Sequence, residues 1–327
     1  MKCFGLSVFV LLLLLSAGNI KAQNVAFDIV TTFEKKFGVF HGHRRNHTKG
    51  ICFTGFFKGI NPYLPLSKAS MIFDGNAYPI IGRFSHSGGN LHVSDTQHNG
   101  YGMAFQILLP DGQKHNITMN NLPFFPVPTP EAFLELQQIT IPNPHTGKID
   151  KDKITAFKIL YPELERFNLA KSKAKSAGYN HVKYNSVNTF MLTDAQGLSV
   201  PVRWEFVPQD QQNGLTETQL QHLGSNYLAQ NLKNRIKKGN IVWDMEILIP
   251  STHYPINNAA IPWESNHRFN IAKLEVTAVG EEQNDSCSNI NFDPLVLSGQ
   301  IKPSDDPILF VRSPTYAISF GKRLSEN

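Results

Sequence analysis

Cysteine is scarce in this chain, long apolar runs are nearly absent, and neither sign of charge dominates. Of 327 residues only three are cysteine, so no disulfide-rich scaffold is possible. The one sustained apolar run, Val8 to Leu15, is too short to cross a bilayer. With Lys2 before it and Ala22 after it, it reads as a secretory leader over residues 1–22, cut before Gln23, which leaves 23–327 as a single domain. Losing the leader removes Lys2 and Lys21 and no acid, so the net charge falls from +5 to +3, too even a balance to argue for nucleic acid. No cysteine follows the apolar run closely, so no lipid-modified start and no membrane anchor are expected.

Internal repeats, low-complexity tracts and long linkers are also missing. What is present is 41% hydrophobic residues, enough for a substantial core. Apolar positions at Phe27, Val30, Phe33 and Phe37 predict a first helix, and Ile51 to Phe57 a strand with His47 on its lead-in. Met103–Leu109 and Ile117–Asn120 read as strands joined by an Asp111-Gly112 turn. A proline-spaced connector follows, and a helix is expected from near Glu131. Helical spacing resumes over 154–177, and Val200, Val202, Trp204 and Phe206 alternate as a strand whose Pro201 argues for an edge or bulge. Thr216 and Gln219 form a capping box for a helix over 217–238 ended by Gly239, and strands are expected at Ile241–Ile249 and Ile271–Val279. Pro314, capped by Ser313, is expected to open the last helix. Runs of strands with helices set apart make an α+β chain with an antiparallel sheet or barrel.

After the leader, Cys52 and Cys287 remain in an oxidising compartment, where a disulfide and two separate buried thiols are both open. Sequons stand at Asn46, Asn116 and Asn284. A glycan on Asn46 would crowd His47, which favours a bacterial periplasm over a eukaryotic secretory route.

Two stretches carry the chemistry. One is Arg44-Arg45-Asn46-His47-Thr48-Lys49-Gly50; the other is Arg312-Ser313-Pro314-Thr315-Tyr316. Arginines at 312 and 323 flank Tyr316 on one helical face, and cations beside a phenol favour its anionic, metal-ligating form. Tyrosine is one of the few proximal ligands of haem iron. The tail alone leaves open a core tyrosine whose hydroxyl an arginine satisfies.

Four motifs in order give a resemblance over almost the whole chain. The Arg44 to Gly50 stretch resembles the distal histidine motif of the haem catalase superfamily. Arg83-Phe84-Ser85 is similar to its Arg-Phe-Ser, and Asn120-Asn121-Leu122-Pro123-Phe124-Phe125 to its distal asparagine segment, with Phe133 where a pocket aromatic stands. Phe292-Asp293-Pro294, Gly299, Ser304 to Pro307 and Arg312 through Tyr316 to Arg323 follow its proximal pattern. By length the chain is most similar to the short catalase-related peroxidases. Thr48, Pro126, Asn188 and Pro314 depart from the usual pattern.

The resemblance implies a catalase-like antiparallel β-barrel with surrounding helices, without the C-terminal extensions of full-size catalases. It implies haem b (iron protoporphyrin IX) with Tyr316 on the iron, held by Arg312, and His47 and Asn120 over the other side. Arg44, Arg83 and Arg323 would meet the propionates, Ser85 would orient His47, and Phe125 and Phe133 would line the pocket. The activity it implies is a peroxidase reducing organic hydroperoxides and/or hydrogen peroxide through a ferryl intermediate, with an organic electron donor, as a monomer or homodimer. The alternatives are a true catalase, a non-catalytic haem binder, and a secreted protein using His41, His43 and His47 for a divalent ion.

Overall fold

The computed structural model describes residues 24–326 except 98–99, 211–214, 252–253, 266 and 282–285. The expected leader and the sequon at Asn284 lie outside the described residues.

The strands among these residues are β1 (Gly50–Gly59), β2 (Ala77–His86), β3 (Tyr101–Leu108), β4 (Lys114–Asn120), β5 (Tyr184–Asn185), β6 (Phe190–Thr193), β7 (Ser199–Pro208), β8 (Ile241–Ile249), β9 (His267–Gly280) and β10 (Ile301–Pro303). In the order β7-β5-β4-β3-β2-β1-β9-β8 they form one antiparallel sheet, and the pairing of β8 with β7 closes it into a barrel of eight. β6 and β10 continue from the first half of β7, where Pro201 pairs with Met191. On that half β7 is bridged on one side only, which is where a residue without an N–H is tolerated.

Side chains alternate across the barrel wall. Ile51, Phe53, Phe57, Phe84, Phe105, Phe206 and Trp243 belong to the main core, all at or below 1% exposure. Their odd-even partners point outward, and on β2, β3 and β4 that outer surface is covered rather than solvated.

Helices supply the cover: α1 (residues 24–37), α2 (Pro130–Ile139), α3 (Lys151–Leu160), α4 (Glu163–Lys173), α5 (Glu217–Gln221), α6 (Tyr227–Ile236) and α7 (Pro307–Ser325). The first helix buries Ala26, Ile29, Val30 and Phe33, whereas Phe27, expected on the same stripe, is 52% exposed under the Lys322 ammonium. The helix expected over 217–238 is two helices, broken at 222–226, although its capping box at Thr216 and Gln219 and its stop at Gly239 are both present. Pro314 does not open the last helix. Pro307 does, with Asp306 as cap accepting from the Ile308 N–H, and Pro314 sits seven residues inside. Burial of Ile308, Leu309 and Val311 against the body outweighs the one main-chain bond Pro314 cannot make.

Cys52 and Cys287 are joined, with Cα atoms 5.9 Å apart, which decides between the two readings left open above. The bridge fastens the 287–292 segment to the outer face of β1, where it packs with Phe292, Ile81, Ala104, Ile290 and Tyr316. Asn116 is 2% exposed; its side-chain amide donates to Asn291 O and Asp293 O, so the folded chain offers no glycan acceptor there.

His115 on β4 is fully buried, its Nδ1 accepting the Ser298 N–H at 3.0 Å. Burial holds the ring down at about 3, from an ordinary 6.5. The folded pKa is the lower one, so the unfolded chain takes up the proton first, and stability present above pH 6.5 drains away as pH falls towards 3. At roughly 1.4 kcal/mol per pH unit, His115 alone is expected to cost about 2 kcal/mol between pH 6.5 and 5. Urea unfolding of the wild type and of His115→Gln across that range checks this: the difference in slope isolates the group, and parallel slopes would refute it.

Candidate active site

The outer face of β2, β3 and β4 carries two cross-strand rows. Register sets Ser85 opposite Gly102 and Gly102 opposite Asn120; two residues along, Arg83 faces Ala104 and Ala104 faces Thr118. Small residues in the middle and polar ones at the edges make a shelf. A Cβ on Gly102 would come within 2.9 Å of the His47 ring and 3.0 Å of Ser85 Oγ, so glycine is what lets the imidazole lie there.

A cavity stands on this shelf, with about 1270 Å³ between its walls including the part open to solvent. One wall is α7, which presents Ile308, Val311, Arg312, Thr315, Tyr316, Ser319, Phe320 and Arg323 at helical spacing over four turns. Ile29, Val30 and Phe33 of α1 face it, with Phe125 and Phe133 beside them at 4.9 Å between ring centroids. All ten candidate residues, His47, Asn120, Arg44, Arg83, Ser85, Phe125, Phe133, Arg312, Arg323 and Tyr316, line this one cavity.

His47 has φ 55°, an uncommon conformation for a residue with a Cβ. The Asn46 carboxamide holds it, Oδ1 accepting from the His47 N–H at 2.9 Å and the Gly88 N–H at 2.7 Å. Ser85 Oγ lies 3.0 Å from His47 Nδ1, which fixes the ring plane and leaves Nε2 as its other polar atom. Other residues of the motif are scaffolding. Arg45 is buried between Glu34 and Glu326, tying α1 to the end of α7, and Lys49 Nζ donates to Asp95, which also accepts from buried His86.

At the tyrosine, Arg312 Nη2 donates to Tyr316 Oη at 3.2 Å and to Thr118 Oγ1 at 2.7 Å, while Nη1 donates to Asn188 Oδ1 at 2.7 Å. Asn188 in turn donates to Asp306 Oδ2 at 2.9 Å. The carboxylate, amide and guanidinium thus run in a chain that ends on the phenol oxygen. Burial raises the Asp306 pKa against the hydrogen bond from Asn188. From the sequence alone Asn188 stands only as a departure and Asp306 only as a member of the Ser304 to Pro307 motif, neither as a link to Arg312, and Gly102 and Thr118 carry no signal. Only strand register and the helix cap bring them in.

At the other end Arg44 and Arg323 both donate to Ile290 O, at 3.1 and 3.4 Å, and Arg83 donates to Thr48 O at 2.8 Å. A Cβ on Gly50 would lie 2.5 Å from the Arg83 guanidinium carbon, which explains the glycine after Lys49. The three-histidine metal site is not formed. Among the described residues no group of three or more His, Cys, Asp or Glu side chains is placed to hold a metal ion, and His47 is bonded to Ser85 instead.

A family model described as catalase matches residues 39–327. The chain belongs to the catalase family. It is 35% identical over 298 residues to a catalase-related peroxidase of Synechococcus elongatus, covering 90% of this chain and 88% of that one. A catalase-related peroxidase of Mycolicibacterium paratuberculosis is 25% identical, over 85% and 88% of the two chains. The catalase of Danio rerio is 26% identical, but this chain spans only 56% of it. A fungal catalase structure superposes with a TM-score of 0.77 at 19% identity, and a bacterial one with 0.74 at 20%; each covers 86% of this chain, which spans 60% and 57% of theirs. Those two likenesses carry the fold: the closed barrel with helices around it is that of the catalases.

The cavity suits the haem this family implies. Its donor set is a phenol oxygen already bonded to a guanidinium, further arginines gathered by Ile290 and Thr48, aromatic side walls, and a shelf flattened by Gly102 and Ala104.

Proposed function

We propose that this protein is a haem peroxidase that reduces organic hydroperoxides, with hydrogen peroxide as a poorer substrate and an organic molecule as electron donor. The observation that carries the reading is the pairing, on the walls of one cavity, of an arginine-bonded phenol at Tyr316 with a serine-oriented imidazole at His47. Tyr316 would hold the iron of haem b, and Arg312 would keep its oxygen anionic. Arg44, Arg83 and Arg323 would take the propionates through paired N–H donors, a task for guanidinium rather than ammonium. Phe125 and Phe133 would pack against the macrocycle. Bound there, the haem supplies the coordination site and the two electrons that cleavage of a peroxide bond consumes.

The rest falls to the chain. His47 Nε2 takes the proton from the near oxygen of the peroxide and returns it to the departing oxygen, so that an alcohol leaves instead of an alkoxide. The Asn120 amide donates a hydrogen bond to the oxygen on which charge develops. Ser85 keeps the ring in one plane throughout. The relatives that this chain spans to 88% of their length are named catalase-related peroxidases, which supports peroxidase over peroxide dismutation.

Haem-reconstituted protein is expected to oxidise an organic donor with an alkyl hydroperoxide and to release little oxygen from hydrogen peroxide. Oxygen release as fast as that of a full-size catalase would overturn the peroxidase assignment. The proposal extends to location and assembly: secretion to a periplasm, supported by the Cys52–Cys287 bridge, and a monomeric or dimeric state.

A further inference from the structure

Helices α2, α3 and α4 pack on a small core of their own, Val127, Ala132, Leu136, Phe157 and Leu164, against which Phe125 and Phe133 also lie. α3 buries one residue in it, Phe157, and α4 one, Leu164. The aliphatic side chains left over point to solvent: Ile159 is 77% exposed, Leu160 69% and Leu169 58%. An ordinary surface helix puts polar residues there.

Charge gathers in the same place. Residues 148–175 hold seven lysines and Arg166 against Asp150, Asp152, Glu163 and Glu165, a net +4 in a chain whose whole formal charge is +5. Two of the acids are engaged locally, Asp150 as the cap of α3 and Glu165 with Lys158. At the inner edge of this face, Lys36 of α1 donates to Gln137 Oε1 and Thr140 Oγ1, and burial together with the neighbouring Lys171 holds its ammonium down at about 8. An anion seated near these two ammonium groups would relieve their repulsion.

We propose that the outer face of α3 and α4 docks on an anionic lipid surface, with Ile159, Leu160 and Leu169 entering the boundary between headgroups and acyl chains and the lysines meeting lipid phosphates. Aliphatic residues interleaved with lysine are the pattern of interfacial helices. Protein interfaces deplete lysine and enrich aromatics and arginine, and nucleic-acid binding has no use for an aliphatic face. Among the described residues no helix is long and apolar enough to cross a membrane, so the docking is peripheral. It holds or fails independently of the peroxidase reading.

The full chain is to be sedimented with vesicles of phosphatidylcholine alone and of phosphatidylcholine with about one-third phosphatidylglycerol, at low and high salt. Binding to the anionic vesicles at least tenfold tighter than to the neutral ones, and weakened by salt, is expected. Ile159→Glu with Leu160→Glu should lose binding more than tenfold, and Lys151→Gln with Lys173→Gln about 25-fold, at roughly fivefold per lysine. All four positions are exposed, so the variants should keep the wild-type melting temperature, and the comparison reads the surface alone. Four results would each overturn the proposal: no uptake by anionic vesicles, equal uptake by neutral ones, variants that bind as the wild type does, or self-association or single-stranded DNA binding that the same variants abolish in place of vesicle uptake.

Discussion

Tyr316→Phe is expected to purify without a Soret band and to take up added haem more than about 100-fold more weakly than the wild type. Loss of an outer partner of a metal ligand already costs about 10- to 100-fold in affinity, and here the ligand oxygen itself goes. The substitution removes one atom. A phenylalanine ring fits the same volume beside the Cys52–Cys287 bridge and Phe292, so the packing of that cluster stays. Arg312 keeps its bonds to Thr118 and Asn188, so no guanidinium is left stranded by the change. Far-UV circular dichroism should therefore match the wild type, and the melting temperature should match that of the haem-free wild type, while the visible spectrum disappears. A Tyr316→Phe variant that retained haem with an unchanged Soret band would show that the iron is held elsewhere, and the proposed site would fall with it.

The second large effect is expected at His47, where haem should stay and turnover should go. Removing a positioned acid-base group costs about 10²- to 10⁴-fold in rate, or roughly 3 to 5 kcal/mol of transition-state stabilisation. The choice of variant matters because of the backbone. His47 sits at φ 55°, where alanine is strained and asparagine is tolerated. His47→Asn therefore deletes the base with the least disturbance to the Asn46 turn that supports it, and His47→Ala should melt lower than His47→Asn while turning over no more slowly. The initial rate with an alkyl hydroperoxide, normalised to haem content, is the measurement. Turnover within a few-fold of wild type in the asparagine variant would leave the proposed mechanism without its proton carrier.

Much of this site was legible in the sequence. Histidine, asparagine, tyrosine and four arginines at fixed spacing are a sparse, polar signal that stands out from an apolar chain, and the ten candidate residues do meet. Strands with a solvent or cover face alternate visibly, so β8 is found at Ile241–Ile249, the limits read from the sequence. Local chemistry was equally plain: the Thr216–Gln219 box and the positive φ of Gly112 and Gly239 are each settled within a few residues.

Other features resisted because their causes lie far away in the chain. Pro314 looks like a helix start until Pro307 and Asp306 are seen capping a longer helix that burial keeps continuous. Phe27 belongs to an apolar stripe by spacing, yet the stripe that packs is the one through Ala26, Ile29 and Phe33. Arg45 is as basic as Arg44, and nothing local says that it will be locked between Glu34 and Glu326 while its neighbour donates to Cys287 O and Ile290 O.

Most elements, and the polar side chains that gather at the cavity, can be read from short stretches of sequence, because periodicity, caps and residue type act over a few positions. That Ser85, Gly102 and Asn120 stand in one row, that Asn188 joins Asp306 to Arg312, and that Cys52 bonds Cys287 emerge from the folded chain alone. Those facts depend on strand register and barrel closure, which bring together residues up to 235 positions apart and are written in no short stretch of chain.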